Sequence, residues 1–274
     1  MRIGIPKEKN EKETRVAIVP VSIPKLLKLG FEIIIEKGAG ENSGYSDSEY
    51  EEKGAMTKSL DEVMKCELIA SIDVPDFKNM KNGQMLACVA DPFRNQEQTK
   101  KIIDAGITLM SLEVIPRRLS KGQSMDVNSS QDNLSGYKAA LMGSQHIAKM
   151  VPMMMTSAGT VRPAKFVIQG AAVAGLQAIA TAKRLGGAIQ AIDVRLAAKQ
   201  DTESLGAKFI DVPGWKDAES SSGHASLFTD KDLQNAFDNA LMDAVKNADV
   251  VITTARLFGA NAPKLFFGKE NNDK

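Results

Sequence analysis

The sequence predicts an α/β protein in which parallel strands form the sheets of two domains. Short apolar runs alternate with segments of helical periodicity, and the alternation is interrupted once, near the middle of the chain. Neighbouring parallel strands need a crossover connection, usually a helix, so this alternation favours parallel sheets. The 274 residues are enough for two domains of about 150 residues each.

The first half of the chain follows this pattern closely. A β-branched run, Phe-Glu-Ile-Ile-Ile-Glu, begins at Phe31 directly after Gly30, a residue type that commonly ends a helix. Similar signals predict strands at residues 2–6, 31–36, 67–72, 84–90 and 107–112, and helices at 21–29, 47–53, 60–65 and 96–105. We therefore expect an N-terminal domain over residues 1–127.

A helix is predicted where the alternation is interrupted. Leu134, Tyr137 and Leu141 lie near helical spacing, and Asp132 or Asn133 offers a cap. We interpret residues 128–152 as a helix that links the domains, with a loop at 151–159 after it. The second domain, residues 153–274, is predicted to have strands at 165–169, 188–193, 208–212 and 249–254, helices at 173–185 and 232–245, and a mobile loop at 214–230.

The first strand and helix of the second domain are joined by a possible dinucleotide-binding turn. Gly170 and Gly175 occupy the first and third positions of G-x-G-x-x-G, and Ala172 replaces the second glycine. In this motif the glycines permit the tight turn, the approach of a diphosphate and the packing of helix on strand. The helix beginning near Val173 would present its N–H groups to the phosphates. The methyl group of Ala172 weakens the match.

An acidic residue follows the turn at the expected distance. Asp193 ends the next predicted strand, 23 residues after Gly170, which is close to the spacing of the acid that accepts a hydrogen bond from a ribose hydroxyl. That acid repels a 2′-phosphate and so favours NAD over NADP. Arg195, two residues further on, would blunt the preference. An ordinary βαβ turn with Asp193 at the surface remains the alternative.

Composition excludes several classes of function. Lys and Arg number 35 and Asp and Glu 34, so the net charge is +1, which argues against a nucleic-acid partner bound through its phosphates. The longest uncharged run, residues 166–182, is shorter than the roughly 20 residues of a membrane helix. Cys66 and Cys88 are too few for a disulfide framework or a zinc site, and no cluster has metal-ligand spacing.

A polar stretch at residues 118–126, Arg-Leu-Ser-Lys-Gly-Gln-Ser-Met-Asp, is not typical of ordinary structure. It is interpreted as a loop between a strand and the linking helix. Together with residues 153–160 and 173–186, it closely resembles the NAD(H)-binding alpha component of proton-translocating NAD(P) transhydrogenases. The opening, Gly-Ile-Pro-Lys-Glu at residues 4–8, is shared with that family and with alanine dehydrogenases. The resemblance extends from Met1 to about Gly259.

The resemblance implies two Rossmann-like parallel-sheet domains with a nucleotide cleft between them. It implies NAD(H) as the cofactor, NADP(H) on a separate partner component, and direct transfer of a hydride between the two. A homodimer and a membrane-spanning proton-channel component are the other implied partners. The protein would then be cytoplasmic and peripheral on the inner face of the plasma membrane, held there by its partners.

The resemblance also implies roles for particular residues. The family's catalytic loop maps onto Arg118, Gln123 and Asp126, where Gln123 would contact the nicotinamide and the other two would hold the loop and the ribose. Two sets complete the implied cofactor site: Ser124 and Met125 in the same loop, and Gly170, Ala172, Val173, Gly175, Asp193, Val194, Arg195 and Gly223 in the second domain.

Some features depart from the family and keep other interpretations open. The family's middle glycine is Ala172 here, and the family's chain continues beyond the end of this one, so we expect a truncated second domain. A non-catalytic nucleotide-binding remnant is therefore one alternative. An amino-acid dehydrogenase of the alanine dehydrogenase kind is another, although Ser71 replaces that family's lysine and residues 87–91 lack its histidine.

Overall fold

The computed structural model describes residues 1–115, 120–215, 230–255 and 262, with backbone only at 120 and 121. The chain divides into two compact units, Met1–Val127 and Asn128–Lys274. Each unit contains a parallel sheet with helices. The α/β fold class predicted from the sequence is therefore confirmed.

The described residues of the first unit contain one six-stranded parallel sheet. Its strands are β1 (Arg2–Ile5), β2 (Glu32–Glu36), β3 (Met56–Lys58), β4 (Leu68–Ala70), β5 (Met85–Cys88) and β6 (Thr108–Ser111). Its helices are α1 (Ile23–Lys28), α2 (Asp47–Glu52), α3 (Leu60–Val63), α4 (Gln96–Asp104) and α5 (Ser120–Gln123). The strand order β3-β2-β1-β4-β5-β6 is that of a doubly wound sheet.

Burial on both faces explains the apolar runs of this sheet. In β2, Ile33, Ile34 and Ile35 are all buried although successive side chains point to opposite faces. Continuous β-branched runs are typical of parallel strands covered by helices on both sides. At the start of α2, Ser46 and Glu49 form a reciprocal capping box, which satisfies N–H groups that the helix itself leaves unpaired.

The described residues of the second unit contain a four-stranded parallel sheet and a two-stranded antiparallel hairpin. The strands are β7 (Met154–Thr156), β8 (Gly159–Val161), β9 (Lys165–Gln169), β10 (Ala188–Ile192), β11 (Lys208–Phe209) and β12 (Val250–Thr253). The helices are α6 (Val127–His146), which begins at the division between the units, α7 (Val173–Arg184), α8 (Ala197–Ser204) and α9 (Lys231–Val245). The parallel sheet has the order β11-β10-β9-β12.

Several elements differ from the sequence-based expectation. The expected loop at 151–159 is the hairpin of β7 and β8, and the expected loop at 118–126 contains α5. Strand β3 and helix α8 were not predicted, because β3 has only 3 residues and α8 includes Asp201, Thr202 and Ser204, which are weak helix formers. Two predicted strands are shorter than expected, at β4 and β11.

Candidate nucleotide-binding site

The turn after β9 has a conformation and a packing that require glycine at two positions. Gly170 has φ +93°, and a Cβ atom there would lie 2.6 Å from the Thr254 hydroxyl oxygen. A Cβ atom at Gly175 would lie 1.7 Å from the Gly170 carbonyl oxygen. The first helical turn of α7 therefore packs directly against the backbone of the turn, which is the arrangement that a dinucleotide-binding turn needs.

The N-terminus of α7 is suited to an anion. Ala172 is the N-cap residue and is exposed, and the first turn contains no acidic side chain. The first N–H groups of a helix have no intrahelical partner, and the helix dipole adds partial positive charge there. Because Ala172 caps with no side-chain hydrogen bond, its methyl group adds bulk at the place where a diphosphate would approach without blocking the N–H groups themselves.

Thr254 fixes the turn from the neighbouring strand. Its hydroxyl oxygen lies 2.8 Å from the carbonyl oxygen of Gly170 and 3.3 Å from that of Gln169. Its own N–H donates to the Gln169 carbonyl at 2.9 Å. Sequence reasoning missed this residue. The available signal was its position directly after β12, because the carboxyl ends of adjacent parallel strands lie at the same edge of a sheet.

Asp193 lies beside the turn because β9 and β10 pair in register, with Ile192 opposite Gln169. Its side chain is 4% exposed. One carboxylate oxygen accepts the N–H of Ala171 at 2.7 Å, and the other accepts the backbone N–H of Arg195 at 2.8 Å. The acid that the sequence spacing indicates is therefore hydrogen-bonded to the glycine turn itself.

The Arg195 guanidinium forms a fork on the same carboxylate. Its Nε donates to Oδ1 of Asp193 and one Nη donates to Oδ2, both at 3.0 Å. Two parallel charge-assisted hydrogen bonds of this kind are stronger and more directional than a single contact. The guanidinium side chain is 17% exposed, so it lies at the boundary between the protein and solvent.

Trp215 packs next to this segment. Its indole N–H lies 3.4 Å from the carbonyl oxygen of Val194, and its ring contacts Phe209 and Phe237 with centroid distances of 5.4 and 6.3 Å. The backbone between Asp193 and Arg195 is therefore in contact with the aromatic cluster of the second unit.

Helix α6 packs against α7 and β12 through glycine. A Cβ atom at Gly136 would lie 2.0 Å from the carbonyl oxygen of Ala174, in the first turn of α7. A Cβ atom at Gly143 would lie 2.6 Å from Cγ1 of Val250. From Asn128 onward, this helix belongs to the second unit, and its close packing supports the first turn of α7.

The predicted catalytic loop lies at the end of the first unit. Gln123, the last residue of α5, is exposed, as are Ser124 and Met125, while Asp126 is half-buried. The N–H of Met125 donates to Gly122 at 3.0 Å, so the chain turns tightly here. Arg118 and Gly223 lie outside the described residues. In the second unit, the structure brings together Gly170, Ala172, Val173, Gly175, Asp193, Val194 and Arg195.

The first unit has its own carboxylate at the point where its strand order reverses. The Glu8 side chain accepts the N–H groups of Ile72 and Asp73 at 2.6 and 3.1 Å. Burial raises the pKa of Glu8, against the two backbone hydrogen bonds, which lower it. Ser71 is 3% exposed and donates to the carbonyl of Asp73 at 2.7 Å, so its hydroxyl is engaged within its own loop.

Nucleophilic and metal chemistry have little support in the described part of the chain. Burial raises the pKa of the Cys88 thiol to about 12, and burial also raises that of Cys66. Neither thiol is therefore activated, because the thiolate is the reactive form. The described residues contain no group of three or more potential metal ligands. Within the same residues, no helix is long and apolar enough to cross a membrane.

Comparison with known proteins adds an independent line of argument. Residues 4–135 match the family described as alanine dehydrogenase/PNT, N-terminal domain, and residues 139–270 match its C-terminal domain. An NAD(P) transhydrogenase alpha subunit chain of Rhodospirillum rubrum is 41% identical over 97% of this chain and 72% of its own length. An alanine dehydrogenase of Mycobacterium tuberculosis is 27% identical over 97% of this chain and 67% of its own length.

A solved structure supports the same relationship. The transhydrogenase from Sinorhizobium meliloti is similar with a TM-score of 0.85 and 38% identity, over 96% of this chain and 72% of that one. The resemblance to transhydrogenase alpha subunits inferred from the sequence motifs is thereby confirmed. Because both family domains match and the identity to these subunits is well above that to alanine dehydrogenase, the chain belongs to the alanine dehydrogenase/PNT family, as a relative of the transhydrogenase alpha subunits.

Proposed function

We propose that this chain is the NAD(H)-binding component of a proton-translocating NAD(P) transhydrogenase. The observation that supports this most directly is the turn at Gly170 and Gly175, which ends at an anion-suited helix N-terminus and is hydrogen-bonded to Asp193. These residues fit a dinucleotide, because they combine a close backbone approach, free helical N–H groups and a carboxylate beside the turn. NADH, when bound, supplies the hydride that passes to NADP⁺ on a partner component.

The second unit would hold the adenosine end and the diphosphate. In this proposal, Gly170, Ala172, Val173 and Gly175 face the diphosphate. Asp193, with Val194 and Arg195, faces the adenosine ribose, and the segment at Gly223 closes over the nucleotide. A ribose with a free 2′-hydroxyl is favoured, since a carboxylate repels a 2′-phosphate.

The loop of the first unit would position the nicotinamide. Gln123 has an exposed side-chain amide that both donates and accepts hydrogen bonds. Arg118 and Asp126 hold the loop and the nicotinamide ribose, with Ser124 and Met125 completing the contact. Hydride transfer between two nicotinamide rings demands alignment more than acid–base chemistry, so these residues act by positioning.

The proposal includes partners. NADP(H) would be held on a separate component, and a membrane-spanning component would couple hydride transfer to proton movement. The chain itself would form a homodimer at the cytoplasmic, inner face of the plasma membrane, attached through these partners. Relatives named as alpha subunits support an assembly of several components.

Gln123→Asn tests the proposed function. The substitution shortens the side chain by one methylene, and a displacement of about 1 Å at a near-attack geometry costs on the order of a hundredfold in rate. The assay measures hydride transfer from NADH to an NADP⁺ analogue with the NADP-binding component added, alongside equilibrium titration with NADH. We expect a large loss of rate with little change in affinity, because most nucleotide contacts are made by the second unit.

Ser124→Ala is the matched control, since it changes an exposed neighbour without moving the amide. A Gln123→Asn protein that transfers hydride at the parental rate would contradict the assignment of Gln123. A parent protein that reduces NAD⁺ with alanine would identify an amino-acid dehydrogenase instead. A parent that binds NADH but transfers no hydride with the partner present would identify a nucleotide-binding remnant.

A further inference from the structure

The Asp193 carboxylate already has its full set of hydrogen-bond donors. Its two oxygens accept from the N–H of Ala171, the N–H of Arg195, and the Nε and one Nη of the Arg195 guanidinium, at 2.7 to 3.0 Å. An ionised carboxylate offers about four lone-pair sites. With only 4% of Asp193 exposed, a ribose hydroxyl has no acceptor position here while all four donors remain in place.

Only the guanidinium can leave the carboxylate without unfolding the local structure. The Ala171 N–H is fixed by the glycine turn, which Thr254 and the β9–β10 pairing hold in place. The Arg195 N–H is part of the backbone directly after β10. The Arg195 side chain, 17% exposed, changes position by rotation about its own bonds.

We infer that Arg195 is a specificity-determining residue, whose guanidinium competes with the ribose hydroxyls for Asp193. This inference rests on the proposed function, because it assumes that a nicotinamide nucleotide binds at the turn. When the ribose binds, the guanidinium leaves Asp193 but remains tethered beside the 2′ position. Its positive charge there offsets the repulsion between Asp193 and a 2′-phosphate, since an arginine near this position accommodates NADP. Arg195 thus weakens NADH binding and narrows the preference over NADPH.

The chain contains a reporter for this movement. Trp215 is the single tryptophan, and its indole N–H lies 3.4 Å from the carbonyl of Val194, between the two competing residues. Intrinsic fluorescence therefore monitors the 193–195 segment directly. It provides a binding readout that does not depend on hydride transfer or on any partner component.

Arg195→Met is the decisive substitution, because methionine keeps much of the side-chain length and removes the donors and the charge. Fluorescence titrations with NADH and NADPH are compared for the parent and the variant. We expect NADH to bind about tenfold more tightly, since the ribose no longer displaces charge-assisted hydrogen bonds. NADPH should bind more weakly, so the ratio of the two dissociation constants should rise by more than about tenfold.

Thermal unfolding gives a second readout. Without nucleotide, Arg195→Met leaves a buried carboxylate with two fewer donors, so the melting temperature of the free protein should fall. Because the ribose then fills the vacant acceptor positions, the increase in melting temperature on adding NADH should be larger than in the parent. Arg184→Met is the control for net charge, since Arg184 is exposed in the last turn of α7, at the opposite end from the nucleotide turn.

The outcomes separate this inference from the proposed function. If the parent binds NADH and Arg195→Met binds it equally or more weakly while remaining folded, the guanidinium is a nucleotide ligand and not a competitor, and the inference is overturned. If Arg195→Met does not fold, Arg195→Lys replaces it. Lysine keeps the charge without the fork, so NADH should bind several-fold more tightly with NADPH binding retained, and unchanged affinities refute the inference. A parent that binds no NADH refutes the proposed function together with this inference.

Discussion

Replacing Gly136 by alanine tests whether α6 packs on the first turn of α7 as the structure shows. In the middle of an open helix this change stabilises, because alanine is favoured over glycine by about 1 kcal/mol. Here the new Cβ atom would lie 2.0 Å from the carbonyl oxygen of Ala174, whereas an ordinary van der Waals contact begins at 3.4 Å. The two helices would have to separate by roughly 1.4 Å to restore that contact.

The sign of the stability change therefore decides the question. Overpacking typically costs about 1–3 kcal/mol, and the cost is highest where the obstacle is backbone and not a flexible side chain. After subtraction of the helix-propensity gain, Gly136→Ala should lower the free energy of unfolding by about 1–2 kcal/mol. NADH affinity should fall as well, because the displaced carbonyl belongs to the helical turn proposed to hold the diphosphate.

Urea unfolding followed by Trp215 fluorescence is the appropriate assay, since the reporter and the substitution lie in the same unit. Ser135→Ala is the matched control, because Ser135 is the exposed neighbour in the same helix. The control should be neutral or slightly stabilising. If Gly136→Ala stabilised the protein by about 1 kcal/mol, as it would in an open helix, the packing of α6 on α7 would be refuted.

Two further predictions concern the turn in the second unit and a buried thiol in the first. Thr254→Val should lower the free energy of unfolding by about 1 kcal/mol and weaken NADH binding, because it removes the hydroxyl donor to the Gly170 carbonyl; Thr253→Val, an exposed neighbour in β12, should have no such effect, and equal results for the two would contradict the role of Thr254. The thiol of Cys88, whose pKa burial raises to about 12, should resist alkylation in the native protein from about pH 7 to 9 and react only on unfolding. Rapid labelling of the folded protein, followed by mass spectrometry of the labelled peptide, would refute that placement.

The order of the elements could be predicted from the sequence because it depends on local pattern. The continuous apolar run of β2 and the alternation of strands with helices are visible in single segments. The hairpin of β7 and β8 escaped prediction, because its strands are 3 residues each and lie almost entirely at the surface. Nothing in such short exposed segments distinguishes a strand from a loop.

The candidate site was predictable to a similar depth. The spacing of Gly170, Gly175 and Asp193 indicates a turn with an acid beside it, and the pairing of β9 with β10 places them together. The contact of Thr254 with the turn was not predictable from the residues alone. It depends on β12 lying next to β9, 84 residues apart in the sequence at the hydrogen bond itself, and on a parallel register. The fork of Arg195 depends on its side-chain conformation, which tertiary packing selects.

The packing around the turn divides the proposed site into a fixed part and a movable part. Gly170, Gly175 and Gly136 each lie where a single added methyl group would collide with backbone or with Thr254. Close-packed backbone has few alternative arrangements, so the turn and the first turn of α7 are held in one geometry before any nucleotide arrives. Arg195 is held differently, by side-chain hydrogen bonds at the solvent boundary. Discrimination between nucleotides should therefore respond to substitution at Arg195, whereas substitution at the glycines should weaken binding of NADH and NADPH alike.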